Sequence, residues 1–321
     1  MSENKLLLNI GVLTYNHEKF IAKAIDSILM QKVNFDYNII ISDDASTDKT
    51  QDILKDYQKK YPDKIHLMLS EKNQGVFRNA EKIINSFKAK YVAILEGDDC
   101  WIYDKKLQTQ IDFLETNSEY NGCFHDAKII NTEPVNKQTE NQSLKEFKYY
   151  SQSNKYKSDF YPQDLIQRNI IPTGSLIFKN KDYSSFIQIF KGTTLSLSWA
   201  VELFIIKNSK FKYFNELWSV YNEHHKGISK IKELNLFKKS NIEILKKILN
   251  YEYYKYFRKD VYKSISNEYL QILLNPKTNK YSKKDFYKIS FQYFYYSIKA
   301  IISELRYFRK DFKRDYLSRG H

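Results

Sequence analysis

Short apolar runs alternate with amphipathic stretches over the first 130 residues. Residues 6–13, 38–42, 65–69 and 90–95 are apolar along nearly their whole length. That is how strands buried on both faces read. Between them, residues 17–30 place Phe20, Ile21, Ala24, Ile25, Ile28 and Leu29 at helical spacing. Residues 48–60 put Leu54 and Tyr57 inward, with Thr47 or Ser46 as the expected cap and Pro62-Asp63 as the break. Helices are also expected over 76–87 and 104–117, and a strand over 122–130. Strands that alternate with helices predict an α/β fold with a parallel, helix-covered sheet.

The pattern then changes. Residues 132–160 are rich in Asn, Gln, Ser and Lys without a clear period and read as an irregular loop. A short helix at 162–168, an apolar stretch at 175–178, a helix near 197–208 and strands near 211–221 follow. From about residue 231 the period is helical, over 231–250, 251–274 and 283–315, with Asn275-Pro276 as punctuation. No internal repeat is visible. The division this implies is 1–229 for the α/β domain and 230–321 for a helical region.

Two of the strands end in carboxylates. Ile39-Ile40-Ile41-Ser42 runs into Asp43-Asp44, and Tyr91-Val92-Ala93-Ile94-Leu95 into Glu96-Gly97-Asp98-Asp99. Ligands of open α/β sheets sit beyond the carboxyl ends of the strands. Carboxylates there hold hard divalent cations or accept from ligand N–H and O–H groups. Asp44 can equally be a helix cap. Three acids within Glu96–Asp99 repel one another unless a cation or donors sit among them. Thr14 and Asn16 close the first strand with a hydroxyl and an amide. Arg78, one turn into a helix after Asn73-Gln74-Gly75, reads either as an anion ligand or as an ordinary surface arginine.

In order and spacing, Leu13-Thr14-Tyr15-Asn16, Ser42-Asp43-Asp44-Ala45-Ser46-Thr47-Asp48, Asn73-Gln74-Gly75 with Arg78-Asn79, and Glu96-Gly97-Asp98-Asp99 resemble family 2 glycosyltransferases. The resemblance covers roughly residues 6–229. It implies a GT-A fold, Rossmann-like, with a mostly parallel sheet and helices on both faces. It also implies inverting transfer of a sugar from a nucleoside-diphosphate sugar, a UDP-sugar above all, with Mn²⁺ or Mg²⁺ as cofactor. By the same match Thr14, Asn16, Asp43, Asp44, Arg78 and Glu96 serve the nucleotide, with Asp43 at the nucleobase. Asp98 and Asp99 serve the metal. Glu96 stands where the family has a shorter acid. Ser219–Ser229 resembles the closing Tyr-x-x-His-x-x-Gly-x-Ser segment and adds His224 to the metal set, with His225 as its competitor. The catalytic base usually stands where this chain has Ser198, a poor base at neutral pH. Glu202, one helical turn on, is the expected base, with Asp126 in reserve. The expected acceptor is a hydroxyl of a glycan, lipid-linked or protein-linked molecule in polysaccharide biosynthesis. The alternative is a non-catalytic nucleotide-sugar-binding protein of the same fold.

Composition adds location and partners. Two cysteines, Cys100 and Cys123, fit a reduced, cytoplasmic setting. Leu6–Leu13 reads as a strand, not a signal peptide, and no run of about 18 apolar residues predicts a membrane-spanning helix. Residues 1–225 hold 29 Lys+Arg and 29 Asp+Glu, while residues 226–321 hold 23 and 9, so the whole net charge of +14 lies in the C-terminal part. That part interleaves bases with aromatics, and Lys299, Arg306, Arg309, Lys310 and Lys313 are compatible with one helix face. Such composition fits a membrane surface, packing or protein contact, or nucleic acid. No nucleic-acid fold motif accompanies it, so nucleic acid is not an expected partner.

Overall fold

The computed structural model describes residues 6–131, 148–149, 157–193, 195–224, 227, 234–275 and 282–318, the side chains of residues 131, 148–149, 234 and 306–318 excepted. These residues belong to two compact units, Met1–Pro162 with Ile170–Ile231, and Gln163–Asn169 with Lys232–His321.

The first unit is built on one mixed, mostly parallel sheet. Strands β1 (Leu8–Thr14), β2 (Tyr37–Asp43), β3 (Ile65–Leu69) and β4 (Tyr91–Glu96) run parallel, because helices α1 (Ile21–Leu29), α2 (Thr50–Lys60) and α3 (Val76–Ser86) carry the chain back between them. Strand order is β3-β2-β1-β4-β9-β6-β10-β5, with β7 (Lys148–Tyr149) beside β6 and β8 (Asp159–Phe160) beside β10. Strand β5 is Cys100–Trp101, β6 is Tyr120–Asn131, β9 is Ile177–Lys179 and β10 is Lys210–Glu223. β9 runs antiparallel to both β4 and β6, so it joins the parallel β1–β4 half to the parallel β6–β10 pair. Helices α4 (Lys106–Thr116), α6 (Ser184–Phe190) and α7 (Leu197–Ile206) complete the first unit, and α5 (Pro162–Gln167), all but its first residue, belongs to the second.

The core sits where the apolar runs predict. Leu8, Ile10, Val12, Ile39, Ile41, Ala93 and Leu95 pack with Ile21, Ala24, Ile25 and Ile28 of α1 at zero exposure. Burial of this kind stabilises by about 25 cal/mol per Å² of apolar area removed from water. Two local expectations change. Neither Ser46 nor Thr47 caps α2: Ser46 Oγ is held by Asp43, and Asp48 Oδ1 takes the N–H and hydroxyl of Thr50. The apolar stretch at 175–178 divides into a 3₁₀ turn, Thr173–Ser175, and β9. Most of the 132–160 loop lies outside the described residues.

The second unit holds α8 (Leu234–Leu249), a 3₁₀ turn (Glu252–Phe257), α9 (Arg258–Leu274) and α10 (Lys283–Ser318). The single helix expected over 251–274 therefore opens with a 3₁₀ segment. α8 and α9 are tied by the Lys238–Glu268 ion pair at 3.1 Å and by Lys246 Nζ donating to Tyr269 Oη at 3.2 Å. No helix among the described residues is long and apolar enough to cross a membrane.

Candidate active site

The strand register brings the acidic and hydroxylic residues to one edge. Thr14 pairs with Asp43 across β1–β2, and Leu13 pairs with Glu96 across β1–β4. Thr14, Asp43 and Glu96 therefore end three adjacent strands side by side. The chain beyond them is stitched back to β1: Asp44 N–H donates to Thr14 O at 3.1 Å, and Gly97 N–H to Leu13 O at 2.8 Å.

The loop after β1 is braced by the loop after β2. Asn16, with a left-handed φ of 57°, donates its N–H to Ser46 Oγ and accepts from Thr47 N–H, both at 2.8 Å. His17 N–H donates to Thr50 Oγ1 at 2.9 Å, and Glu18 N–H to Asp48 Oδ2 at 3.1 Å. This bracing aims His17 at the β4 loop. An added Cβ at Gly97 would lie 2.9 Å from His17 Nδ1 and from both Thr14 Cβ and Thr14 Oγ1, so only glycine admits this approach.

The end of β10 closes on the same loop. Asn222 Nδ2 donates to Asp98 O at 2.7 Å, and Asn222 N–H to Asp99 Oδ1 at 2.9 Å. His224 Nε2 lies 2.9 Å from Asp98 Oδ2, and His17 Nε2 lies 3.6 Å from the same oxygen. Phe20 stacks on the His224 ring at 4.8 Å between centroids and fixes its plane. His17, Asp98 and His224 each offer a ligand atom, and these atoms lie within 4.8 Å of one another.

The electrostatics sort the acids. Burial alone would raise the Asp98 pKa, but the His224 hydrogen bond and the nearby His17 hold it below the usual range. Burial first, and the Asp98 charge second, push Glu96 up to about 8 and Asp99 well above its ordinary value. Burial and the Asp98 charge favour the protonated forms of Glu96 and Asp99, which lessens the repulsion among the three acids. Burial lowers the His17 pKa, and its buried Nδ1 has no partner among the described residues. Two imidazoles and a carboxylate whose ligand atoms lie within 4.8 Å of one another fit a first-row divalent cation.

The family model for glycosyl transferase family 2 matches residues 10–181. The chain belongs to that family. An uncharacterized Mycobacterium tuberculosis protein is 28% identical over 221 residues, which are 69% of this chain and 60% of that protein. The chain thus spans less than two thirds of the length of that relative. The putative teichuronic acid biosynthesis glycosyltransferase TuaG of Bacillus subtilis is 35% identical over 118 residues, 37% of this chain and 46% of TuaG. Among solved structures, S. aureus TarS 1-349 in complex with UDP-GlcNAc aligns with a TM-score of 0.65 at 15% identity, covering 93% of this chain and 81% of that one. The likeness to TarS shows the GT-A fold.

Several residues expected from the family 2 match have other commitments. Asp99, an expected metal ligand, accepts the Asn222 N–H through Oδ1 and stands outside the His17–Asp98–His224 group. Asp44, an expected nucleotide ligand, accepts Gln74 N–H and Gly75 N–H at 2.8 Å each and clamps the loop that enters α3. Asn16 serves the loop bracing. Arg78 pairs with Glu81 at 2.5 Å on a half-exposed face of α3, the arrangement of a surface arginine. Asp43 is fully buried and accepts from Ser46 N–H at 2.9 Å and Gln51 Nε2 at 2.7 Å. Thr14 Oγ1 is buried without a partner among the described residues. Asp126 accepts from Ala127 N–H at 2.8 Å and Tyr213 Oη at 3.1 Å. Glu202 is 1% exposed, its two oxygens have no partner among the described residues, and burial raises its pKa well above the ordinary value. His225 lies outside the described residues.

Sequence reasoning missed His17 and Asn222. His17 directly follows the quoted Leu13–Asn16 motif at a strand's carboxyl end, which is the signal that could have found it. Asn222 lies inside the closing segment, two residues before His224.

Proposed function

We propose that this chain transfers a sugar from a nucleoside diphosphate donor, a UDP-sugar, to an acceptor hydroxyl with inversion at the anomeric carbon. The observation that carries the proposal is the convergence of Thr14, Asp43 and Glu96 on one sheet edge beside the His17–Asp98–His224 group. The choice of a UDP-sugar is supported by the UDP-GlcNAc complex of the TarS neighbour. The acceptor is a hydroxyl of a glycan, lipid-linked or protein-linked molecule met in the cytoplasm.

Asp43 holds the nucleobase, exchanging its contacts with Ser46 and Gln51 for it. Glu96 meets the ribose, and the unpaired Thr14 hydroxyl a donor oxygen. Arg78 turns from Glu81 toward the nucleotide. His17, Asp98 and His224 hold the divalent cation. Nitrogen donors favour Mn²⁺ over Mg²⁺, which prefers oxygen ligands. When bound, that cation neutralises negative charge developing on the departing diphosphate. Inversion needs a base on the acceptor side. Glu202 takes that role as the carboxyl one helical turn after Ser198, the position where the family resemblance expects the base. Asp126 is the reserve, and its hydrogen bonds with Ala127 and Tyr213 make it the less available acid.

A donor screen tests the proposal: sugar nucleotides are incubated with Mn²⁺ and acceptor, and release of nucleoside diphosphate is measured. UDP-sugar turnover that Glu202→Gln abolishes, with donor binding intact, is the expected result. Loss of turnover in Asp126→Asn and not in Glu202→Gln would move the base to Asp126. Tight nucleotide binding with no transfer to any acceptor would favour the non-catalytic binder.

A further inference from the structure

The helical unit leaves one face of α10 uncovered. α10 packs on α9 through Tyr293, Tyr296 and Ser297: Ser266 Oγ lies 2.6 Å from Ser297 Oγ and 3.3 Å from Tyr293 O, and Tyr296 stacks on Tyr269. The other side carries Phe291, Phe294, Ile298, Ile301, Ile302 and Leu305, which are 42–65% exposed. Between residues 291 and 305 every exposed position is apolar, Tyr295 being the seventh. At about 100° per residue these positions cover an arc of about 120° and, at about 1.5 Å per residue, a length of about 21 Å. Scattered exposed apolar residues need no explanation, but a continuous face of this kind marks an interaction surface.

Charge selects the occupant. α10 carries nine Lys and Arg against four Asp and Glu, within the part of the chain that holds the whole net charge. Two copies of α10 laid face to face would bring like charges together. An anionic lipid surface attracts the same charges. Lys283, Lys284 and Lys288 are exposed at the start of the helix, beside the apolar arc. The arc is also broader than the narrow seam of a coiled coil. The helix is not apolar enough to cross a bilayer. It fits instead the interfacial class, with an apolar face sunk into the headgroup boundary and bases around it. Arg306, Arg309, Lys310 and Lys313, expected to share a basic face with Lys299, have side chains outside the described residues.

We propose that α10 lies flat on an anionic membrane surface, with the face from Phe291 to Leu305 inserted and the N-terminal lysines on the headgroups. This goes beyond the sugar-transfer reading and does not depend on it. The test is flotation of the full chain with phosphatidylcholine vesicles and with vesicles in which part of that lipid is phosphatidylglycerol. Light scattering gives the mass of the lipid-free protein. The chain is expected to be monomeric and to bind the anionic vesicles. Ile298→Asp should lower its partition coefficient at least about tenfold, and Ile302→Gln should lower it less, each with an unchanged circular dichroism spectrum. Lys283→Gln, Lys284→Gln and Lys288→Gln should each lower anionic binding by about fivefold and leave neutral binding alone. Equal binding to neutral and anionic vesicles, or binding unaffected by both Ile298→Asp and Ile302→Gln, would overturn the proposal. A lipid-free dimer that Ile298→Asp splits into monomers would overturn it in favour of a second copy.

Discussion

Lys106 is the first residue of α4, yet it is fully buried. Its Nζ has no hydrogen-bond partner among the described residues and lies 4.1 Å from the Trp101 ring centroid. Burial pushes its pKa from the ordinary 10.5 down to about 7. Between those values the unfolded chain binds the extra proton, so this residue's contribution to stability rises with pH across that window. Below about pH 7 the penalty for charging a buried amine is complete. The displacement amounts to roughly 5 kcal/mol at about pH 6 and to roughly 1.4 kcal/mol at about pH 9.5. Lys106→Met keeps the length, removes the charge and leaves a sulfur to pack on Trp101. Urea unfolding of both proteins at the two pH values measures the difference. The variant should gain several kcal/mol near pH 6, and the gain should shrink by about 3 kcal/mol near pH 9.5. An equal gain at both pH values, or a loss near pH 6, would refute the reasoning, because packing alone carries no such pH dependence.

Two further outcomes follow from the site. Asp44→Ala leaves Gln74 N–H and Gly75 N–H without their acceptor, and urea unfolding should show a loss of about 2 kcal/mol, below the about 3–6 kcal/mol of two hydrogen bonds to a charged group because water reaches Gln74 and Gly75. Gly97→Ala places a methyl 2.9 Å from His17 Nδ1 and Thr14 Oγ1; the fold should survive at a cost of about 1–3 kcal/mol. Mn²⁺ affinity, read from the electron paramagnetic resonance of free Mn²⁺, should fall at least about tenfold in that variant.

The fold was legible because its first half obeys one rule repeated. Ile39–Ser42 and Tyr91–Leu95 are apolar on both faces, and helices covering both faces are the structure that satisfies them. The position of the site was legible for the same reason, since buried strands that end in acids put those acids on one edge. Which acid joins the two histidines was not legible. Asp98 and Asp99 are adjacent in sequence, and their division of labour depends on the β10 backbone, which arrives from more than 120 residues away to claim Asp99. Asp44 was ambiguous for a like reason, because its partners come from the loop before α3. Lys106 sits in a polar-looking stretch, and its burial depends on Trp101 and β6, which no local period reports. The exposed face of α10 was masked by its own composition: tyrosines and phenylalanines occur on both sides of the helix, and only packing on α9 shows which of them remain uncovered.

If a nucleotide and a divalent cation meet at the edge formed by β1, β2 and β4, the affinity for each depends on the other. Calorimetric titration of UDP into the wild-type chain and into Asp98→Asn, with and without Mn²⁺, tests it most directly. Asp98 carries the charge that His17 and His224 share, so the asparagine removes it at nearly constant shape. Mn²⁺ should tighten UDP binding to the wild-type chain at least about tenfold, and Asp98→Asn should lose this enhancement while keeping the weaker metal-free binding. UDP affinity that is the same with and without Mn²⁺ in both proteins would contradict it.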